Sequence, residues 1–161
     1  MNLVRSNRVT SVEMSRRIDD IDRKIISLLM SNARITYREI AKSVNLSDVA
    51  VIKRIRKLES SGVIRKYTAI VNPRALGYSM ISFTGVNVKP ERLFDVAKTL
   101  KDKEYVKYLA LTTGDHDILA VIWASSGEEL ERIHNEIRSI EGVVEIYPMI
   151  LSEVLKDEAY T

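Results

Sequence analysis

The stretch RITYREIAKSVNLSDVAVIKRIRKLESSGVIRK, residues 34–66, holds two helix starts, a tight turn and a cluster of cations. Thr36 and Glu39 stand at the T-x-x-E spacing of a capping box, and Ile35 and Ile40 occupy the positions of a hydrophobic staple. Asn45 breaks the first helix after Val44, and Ser47 is a good N-cap for a second. In that second helix Val51, Ile55 and Leu58 recur at i, i+4 and i+7 and form one buried stripe. Lys53, Arg54 and Lys57 lie away from the stripe with Arg56 at its border, so the packed helix is expected to hold its cations toward solvent or phosphate.

Upstream, a helix is expected from Asp19 or Asp20 to about Ser31, with Ile21, Ile25, Leu28 and Leu29 on one face. Three helices with short connections make a helix-turn-helix, whose last helix can enter the major groove while the preceding one braces it. The expected DNA contacts are Tyr37 and Arg38 on the bracing helix, and Ser47, Asp48, Ala50, Lys53, Arg54 and Lys57 on the reading helix. Gly62 is a C-terminal stop, and VIRKYTAIV after it reads as a strand or wing whose Arg65 and Lys66 could grip a flanking phosphate, or as a plain exit strand. Residues 1–17 carry four arginines without periodicity and read as a flexible arm, with Met14 an alternative natural start.

Charge supports this division. Residues 1–67 hold 15 Lys and Arg against 7 Asp and Glu, whereas residues 68–161 hold 10 against 15. A basic half joined to an acidic one points to a polyanion met by the first half alone, through phosphate neutralisation and counterion release. The absence of cysteine removes disulfides, iron–sulfur clusters, thiol catalysis and cysteine-based zinc sites together. No apolar run approaches the ~18 residues of a membrane span, and the N-terminus lacks the apolar middle of a signal peptide. A cytoplasmic protein without membrane contact is expected.

NPRALGY, residues 72–78, marks the boundary between the halves. The expected division is therefore an arm over 1–17, a helix-turn-helix domain over 18–66, a linker over 67–79 and a second domain over 80–161. That second domain repeats a β-α-β rhythm. MISFTGVNV reads as a strand, Pro90 opens a helix faced by Leu93, Val96, Ala97 and Leu100, and YVKYLALTT is the next strand. The turn GDHD leads into ILAVIWA, an apolar run suited to a strand covered on both faces. Ser126 and Glu129 form another capping box ahead of the stripe Leu130, Ile133 and Ile137, and VVEIYPMIL closes the domain. The fold class is thus α+β: a winged helix-turn-helix followed by a ferredoxin-like βαββαβ domain. Pro148 in the last strand suits a sheet edge, where a missing N–H is tolerated. Two helices cover one sheet face only, so a symmetric partner is expected on the other, placing two reading helices ~34 Å or a multiple apart on DNA.

In IDDIDRKIISLL, NARITYREIAKSVNLS, VIKRIRKLESSGVIRKYTAIVNPRALGY and TGDHDILA, in that order and spacing, the chain resembles the Lrp/AsnC, or feast/famine, transcription regulators of bacteria and archaea. The resemblance implies a homodimer assembling into tetramers, octamers or larger discs. It also implies double-stranded promoter DNA as partner and a small-molecule effector, usually an amino acid, with no other cofactor. Carried over to this chain, the effector site is Thr112, Thr113, Gly114, Asp115, His116 and Asp117 on the turn between the second and third strands, with Tyr147 and Met149 on the last strand. Turn amides can receive a carboxylate and a carboxylate side chain an ammonium; the same G-D-x-D is also a good β-turn in its own right. Many relatives carry a hydroxyl residue two positions after the serine that opens the reading helix, where this chain has Val49, beside Asp48. Asp48 either caps the helix or reads a cytosine amino group.

Catalysis finds little support. The two histidines are His116 and His134, the first flanked by Asp115 and Asp117, and adjacent residues on a turn rarely converge on one ion or substrate atom. No phosphate-cradling Gly-rich loop and no nucleophile motif occurs. The alternative to a DNA-binding regulator is an amino-acid-binding sensor or scaffold whose helix-turn-helix serves protein contacts.

Overall fold

The structure is a computed structural model and describes residues 18–155; the expected arm at 1–17 lies outside them. The chain separates into two compact units between Ile70 and Val71.

The first unit holds three helices: α1 (Asp20–Ser31), α2 (Tyr37–Val44) and α3 (Asp48–Ser60). Each begins where a side chain accepts an otherwise orphaned amide. Asp19 takes the amide of Asp22 at 2.7 Å and Asp22 accepts that of Asp19 in return, a capping box built from two aspartates. Thr36 and Glu39 make the expected box at α2: the Glu39 carboxylate accepts both the amide and the hydroxyl of Thr36, and these bonds hold it below the usual carboxylate range. Asn45 ends α2 in the left-handed region, at φ 60°, and Ser47 accepts the Ala50 amide to start α3. Beyond Ser60 the amide of Gly62 reaches the Glu59 carbonyl and that of Val63 the Leu58 carbonyl, the paired bonds of a Schellman end, with Gly62 at φ 74°. Ile25, Ile40, Ala41, Val51 and Ile55 are buried together, with Ile35, Leu46 and Ile64 packed around them.

Residues 63–71 form no strand, contrary to the expectation. A strand needs a neighbour to satisfy its amides and carbonyls, and this unit holds no strand among its described residues. Residues 65–71 are exposed throughout.

In the second unit β1 (Met80–Val88), α4 (Leu93–Lys101), β2 (Val106–Leu111), β3 (Ile118–Ala124), α5 (Gly127–Arg138) and β4 (Val143–Ile150) follow in the βαββαβ order. The sheet is antiparallel in the order β2-β3-β1-β4, so β4 is an edge and Pro148 sits on it opposite Thr84. Val86, Ile118, Ala120, Ile122 and Ile146 face the helices and are buried against Val96, Leu100, Leu130, Ile133 and Ile137. Alternation along the strands puts Ile81, Phe83, Leu119, Val121 and Trp123 on the opposite face, where each is only half-buried. One local expectation is corrected. Ser126 caps α5 by accepting the Glu129 amide, but the Glu129 carboxylate reaches back to the amide and hydroxyl of Ser125, one residue earlier than a capping box requires.

Candidate functional site

On α3 the stripe Val51, Ile55 and Leu58 is buried, as its spacing demands. Val49, Lys53, Arg56 and Lys57 are exposed on the side away from it. Val49 is 75% exposed, a bare isopropyl group in the first turn of the helix. Asp48, also exposed, occupies the first helical position, where a carboxylate suits the positive end of the helix dipole.

Arg54 and Arg56 exchange the places expected of them. Arg54 is not held out to solvent: its Nη1 donates to Asp19 Oδ2 and to Asp22 Oδ1, both at 2.7 Å, and its side chain is 29% exposed. These bonds raise the Arg54 pKa and lower that of Asp19, for which the Asp22 amide is the larger cause. Arg56, by contrast, is exposed and joins the cation face. The spacing carried this signal, because Arg54 stands at i+3 from Val51 and i−4 from Leu58, on the buried side.

Tyr37 and Arg38 lie exposed in the first turn of α2, Ser47 is exposed and engaged as a cap, and Ala50 is half-buried. Arg65 and Lys66 are exposed in the irregular segment after α3. The next residue fastens that segment: the Tyr67 hydroxyl donates to Glu59 Oε1 at 2.9 Å, and burial, then Glu59, pushes its pKa up to about 12.

In the second unit the turn from Thr112 to Asp117 is closed by the Thr112 amide on the Asp117 carbonyl at 2.9 Å and by the Thr112 hydroxyl on the His116 carbonyl at 2.6 Å. Asp117 Oδ2 accepts the Val88 amide at 2.9 Å, which commits this carboxylate to holding the turn against the end of β1. Thr113, Gly114 and Asp115 are exposed, with Gly114 at φ 121°. His116 folds back over β1: its Nδ1 lies 3.2 Å from Asn87 Oδ1, and its ring centroid is 4.6 Å from that of Tyr147. The ring rests directly on Gly85, where an added Cβ would come within 2.3 Å of it. The Tyr147 hydroxyl in turn donates to Glu145 Oε2 at 2.7 Å, and this bond raises its pKa. Met149 pairs opposite Phe83, on the face that carries Tyr147. The fold thus brings His116, Tyr147 and Met149 to one sheet face beside the turn. Sequence reasoning missed Gly85, Asn87 and Glu145, of which a glycine inside a strand was the available sign.

The second histidine lies elsewhere. His134 on α5 is 6% exposed, with Nε2 3.2 Å from the Thr84 hydroxyl, which is itself 2.9 Å from that of Ser82. No group of three or more His, Cys, Asp or Glu suited to a metal ion occurs among the described residues, and no helix among them is long and apolar enough to cross a membrane.

Residues 18–59 match the AsnC-type helix-turn-helix domain and residues 81–160 the Lrp/AsnC ligand binding domain. The transcriptional regulator LrpA of Pyrococcus horikoshii is 47% identical over 140 residues, which span 86% of this chain and 99% of that one. Among solved structures, a feast or famine regulatory protein from M. tuberculosis complexed with L-methionine superposes with a TM-score of 0.82 at 28% identity, covering 89% of this chain and 97% of the other. E. coli AsnC superposes with a TM-score of 0.79 at 27% identity over 87% of this chain and 96% of its own.

Proposed function

Since the chain belongs to the Lrp/AsnC family of transcription regulators, we propose that it binds promoter DNA as a symmetric dimer through α3 and that an amino acid seated at the Thr112–Asp117 turn alters its DNA affinity or assembly. The observation that carries the DNA reading is the exposed face of α3, where Lys53, Arg56 and Lys57 surround Val49 and pair with no acid among the described residues. A helix of this kind fits the major groove, its long cations reaching phosphates and its first turn the base edges. Arg65 and Lys66 extend the cationic surface toward flanking phosphates.

Dimerisation is supported by the half-buried face of Ile81, Phe83, Leu119, Val121 and Trp123, which a second copy of the same face would take out of water. The effector reading rests on the exposed turn beside His116 and Tyr147, and on the M. tuberculosis relative whose structure holds L-methionine. Asp115 is free to meet an ammonium group, Met149 to line the side chain, and a neighbouring dimer to close the site. Further assembly to tetramers or octamers, and a cytoplasmic location, belong to the same reading.

The test is fluorescence anisotropy of a labelled promoter duplex across a salt series. The affinity of the unaltered chain falls steeply with salt, with a slope near −0.9 per neutralised phosphate. Replacing Lys53, Arg56 and Lys57 together by Ala weakens binding and flattens the slope while the oligomer persists; an unchanged isotherm rules out α3 as the DNA-binding face. Asp115→Ala removes the calorimetric signal of the cognate amino acid, and an unaltered titration removes the turn from consideration.

A further inference from the structure

The first turn of α1 and the middle of α3 meet in a closed set of polar bonds. Asp19 Oδ1 accepts the Asp22 amide and Asp22 Oδ2 the Asp19 amide, while the two remaining carboxylate oxygens both accept from Arg54 Nη1. Each of the four oxygens therefore has one donor. The partners lie 35 and 32 residues apart in the chain, and Asp22 is 2% exposed. α3 also buries the aliphatic side chains of Val51, Ile55 and Leu58, whose individual contacts carry no direction and set the helix's rotation only through the fit of the packing. The ion pair is directional.

From this geometry we infer that Arg54 is a positioning residue: it fixes the rotation of α3 about its own axis and so decides where Val49, Lys53 and Arg56 point. The inference rests on the DNA-binding reading above and adds to it how the helix is aimed. A rotation of about 20° carries a group ~6 Å from the helix axis through ~2 Å. That distance is more than a hydrogen bond or a methyl contact to a base edge tolerates. Flexible lysines tracking a phosphate row absorb it. Loss of the clamp therefore costs discrimination between sequences and leaves sequence-independent affinity in place, whereas loss of a phosphate contact weakens binding to every sequence alike.

The experiment uses the full chain and an operator selected by the unaltered protein from random duplexes. The dissociation constant for that operator and for an unrelated duplex of equal length is measured over a salt series for Arg54→Met, Asp22→Asn and Arg56→Ala. Arg54→Met and Asp22→Asn each lower the operator-to-unrelated ratio by about tenfold or more without changing the salt slope, whereas Arg56→Ala flattens the slope by about 1.8, roughly 0.9 for each copy in the dimer. Asp22→Asn is decisive where Arg54→Met folds poorly: asparagine keeps one oxygen for the Asp19 amide but turns an NH2 toward Arg54, which breaks the buried arm of the clamp and partly releases Arg54, leaving it only the more exposed Asp19 carboxylate. If Arg54 contacts phosphate instead, that release tightens binding and Arg54→Met flattens the slope, and either result overturns the inference. An unchanged ratio in Asp22→Asn overturns it as well. Absence of duplex binding by the unaltered protein counts instead against the proposed function.

Discussion

Replacing Gly85 by Ala sets two effects of opposite sign against each other. In an unconstrained strand the change stabilises by about 0.4–1 kcal/mol, because alanine has fewer unfolded conformations to lose. Here the new methyl lands 2.3, 2.5 and 2.7 Å from three atoms of the His116 ring. Ordinary contact between such atoms is ~3.5–4.0 Å, so the ring must retreat by more than 1 Å. Retreat stretches the 3.2 Å contact with Asn87 and unseats the ring from Tyr147. Overpacking of this kind costs about 1–3 kcal/mol. His116 is only half-buried and can swing outward, which favours the lower half of that range. The balance is a loss of up to about 1.6 kcal/mol, which at about 4–8 °C per kcal/mol lowers the melting temperature of a domain of this size by up to roughly 13 °C. Differential scanning calorimetry measures the shift, and titration of the amino acid proposed as effector into the same variant is expected to show weaker binding, since His116 belongs to the turn proposed to hold it. A variant that melts higher than the parent and binds the effector equally refutes the reasoning, because the close approach of His116 then does not constrain the strand.

Protonation of His134 is opposed first by burial and then by the Arg138 charge, which lower its pKa below the usual 6.5. The unfolded chain therefore takes up this proton at higher pH than the folded one. Stability is unaffected by this group well above pH 6.5 and declines as pH falls through 6.5; chemical denaturation of the C-terminal unit on either side of that pH shows the decline, and His134→Gln removes it. Val121→Lys places an ammonium group on the half-buried sheet face and is expected to leave a folded monomer by sedimentation velocity, an intact dimer counting against that face as the interface. Ile55→Ala empties a site 2% exposed in the three-helix core and costs about 2–5 kcal/mol in denaturant titration. A cost below about 1 kcal/mol would mean that the core closes around the gap.

The local elements were legible in the residues. The reciprocal box of Thr36 and Glu39, the αL stop at Asn45, the cap at Ser47 and the strands Met80–Val88 and Ile118–Ala124 all lie where spacing alone placed them. Even the edge position of the last strand agreed with Pro148. The misplacements are equally informative. Residues 63–71 have the composition of a strand and no neighbour to pair with, because β propensity records fitness for a sheet and cannot supply one. Glu129 chose Ser125 over Ser126, a shift of one residue that a pattern cannot resolve.

Arg34 to Lys66, by itself, determined that two capped helices face each other with a cationic surface on the second, since caps, stripes and turns depend on residues within one or two helical turns. Which arginine stays on that surface was decided only in three dimensions. Arg54 and Arg56 are chemically identical and two positions apart. One is withdrawn because Asp19 and Asp22, more than thirty residues earlier, bring two carboxylates within 2.7 Å of it, and the other stays exposed because no acid among the described residues pairs with it. The same holds at the turn, where the residues of TGDHD state its bend but the bare backbone of Gly85 and the ring of Tyr147 settle where His116 goes. A charge or a ring takes its place from whatever the folded chain sets beside it, and that neighbour is seldom a neighbour in sequence.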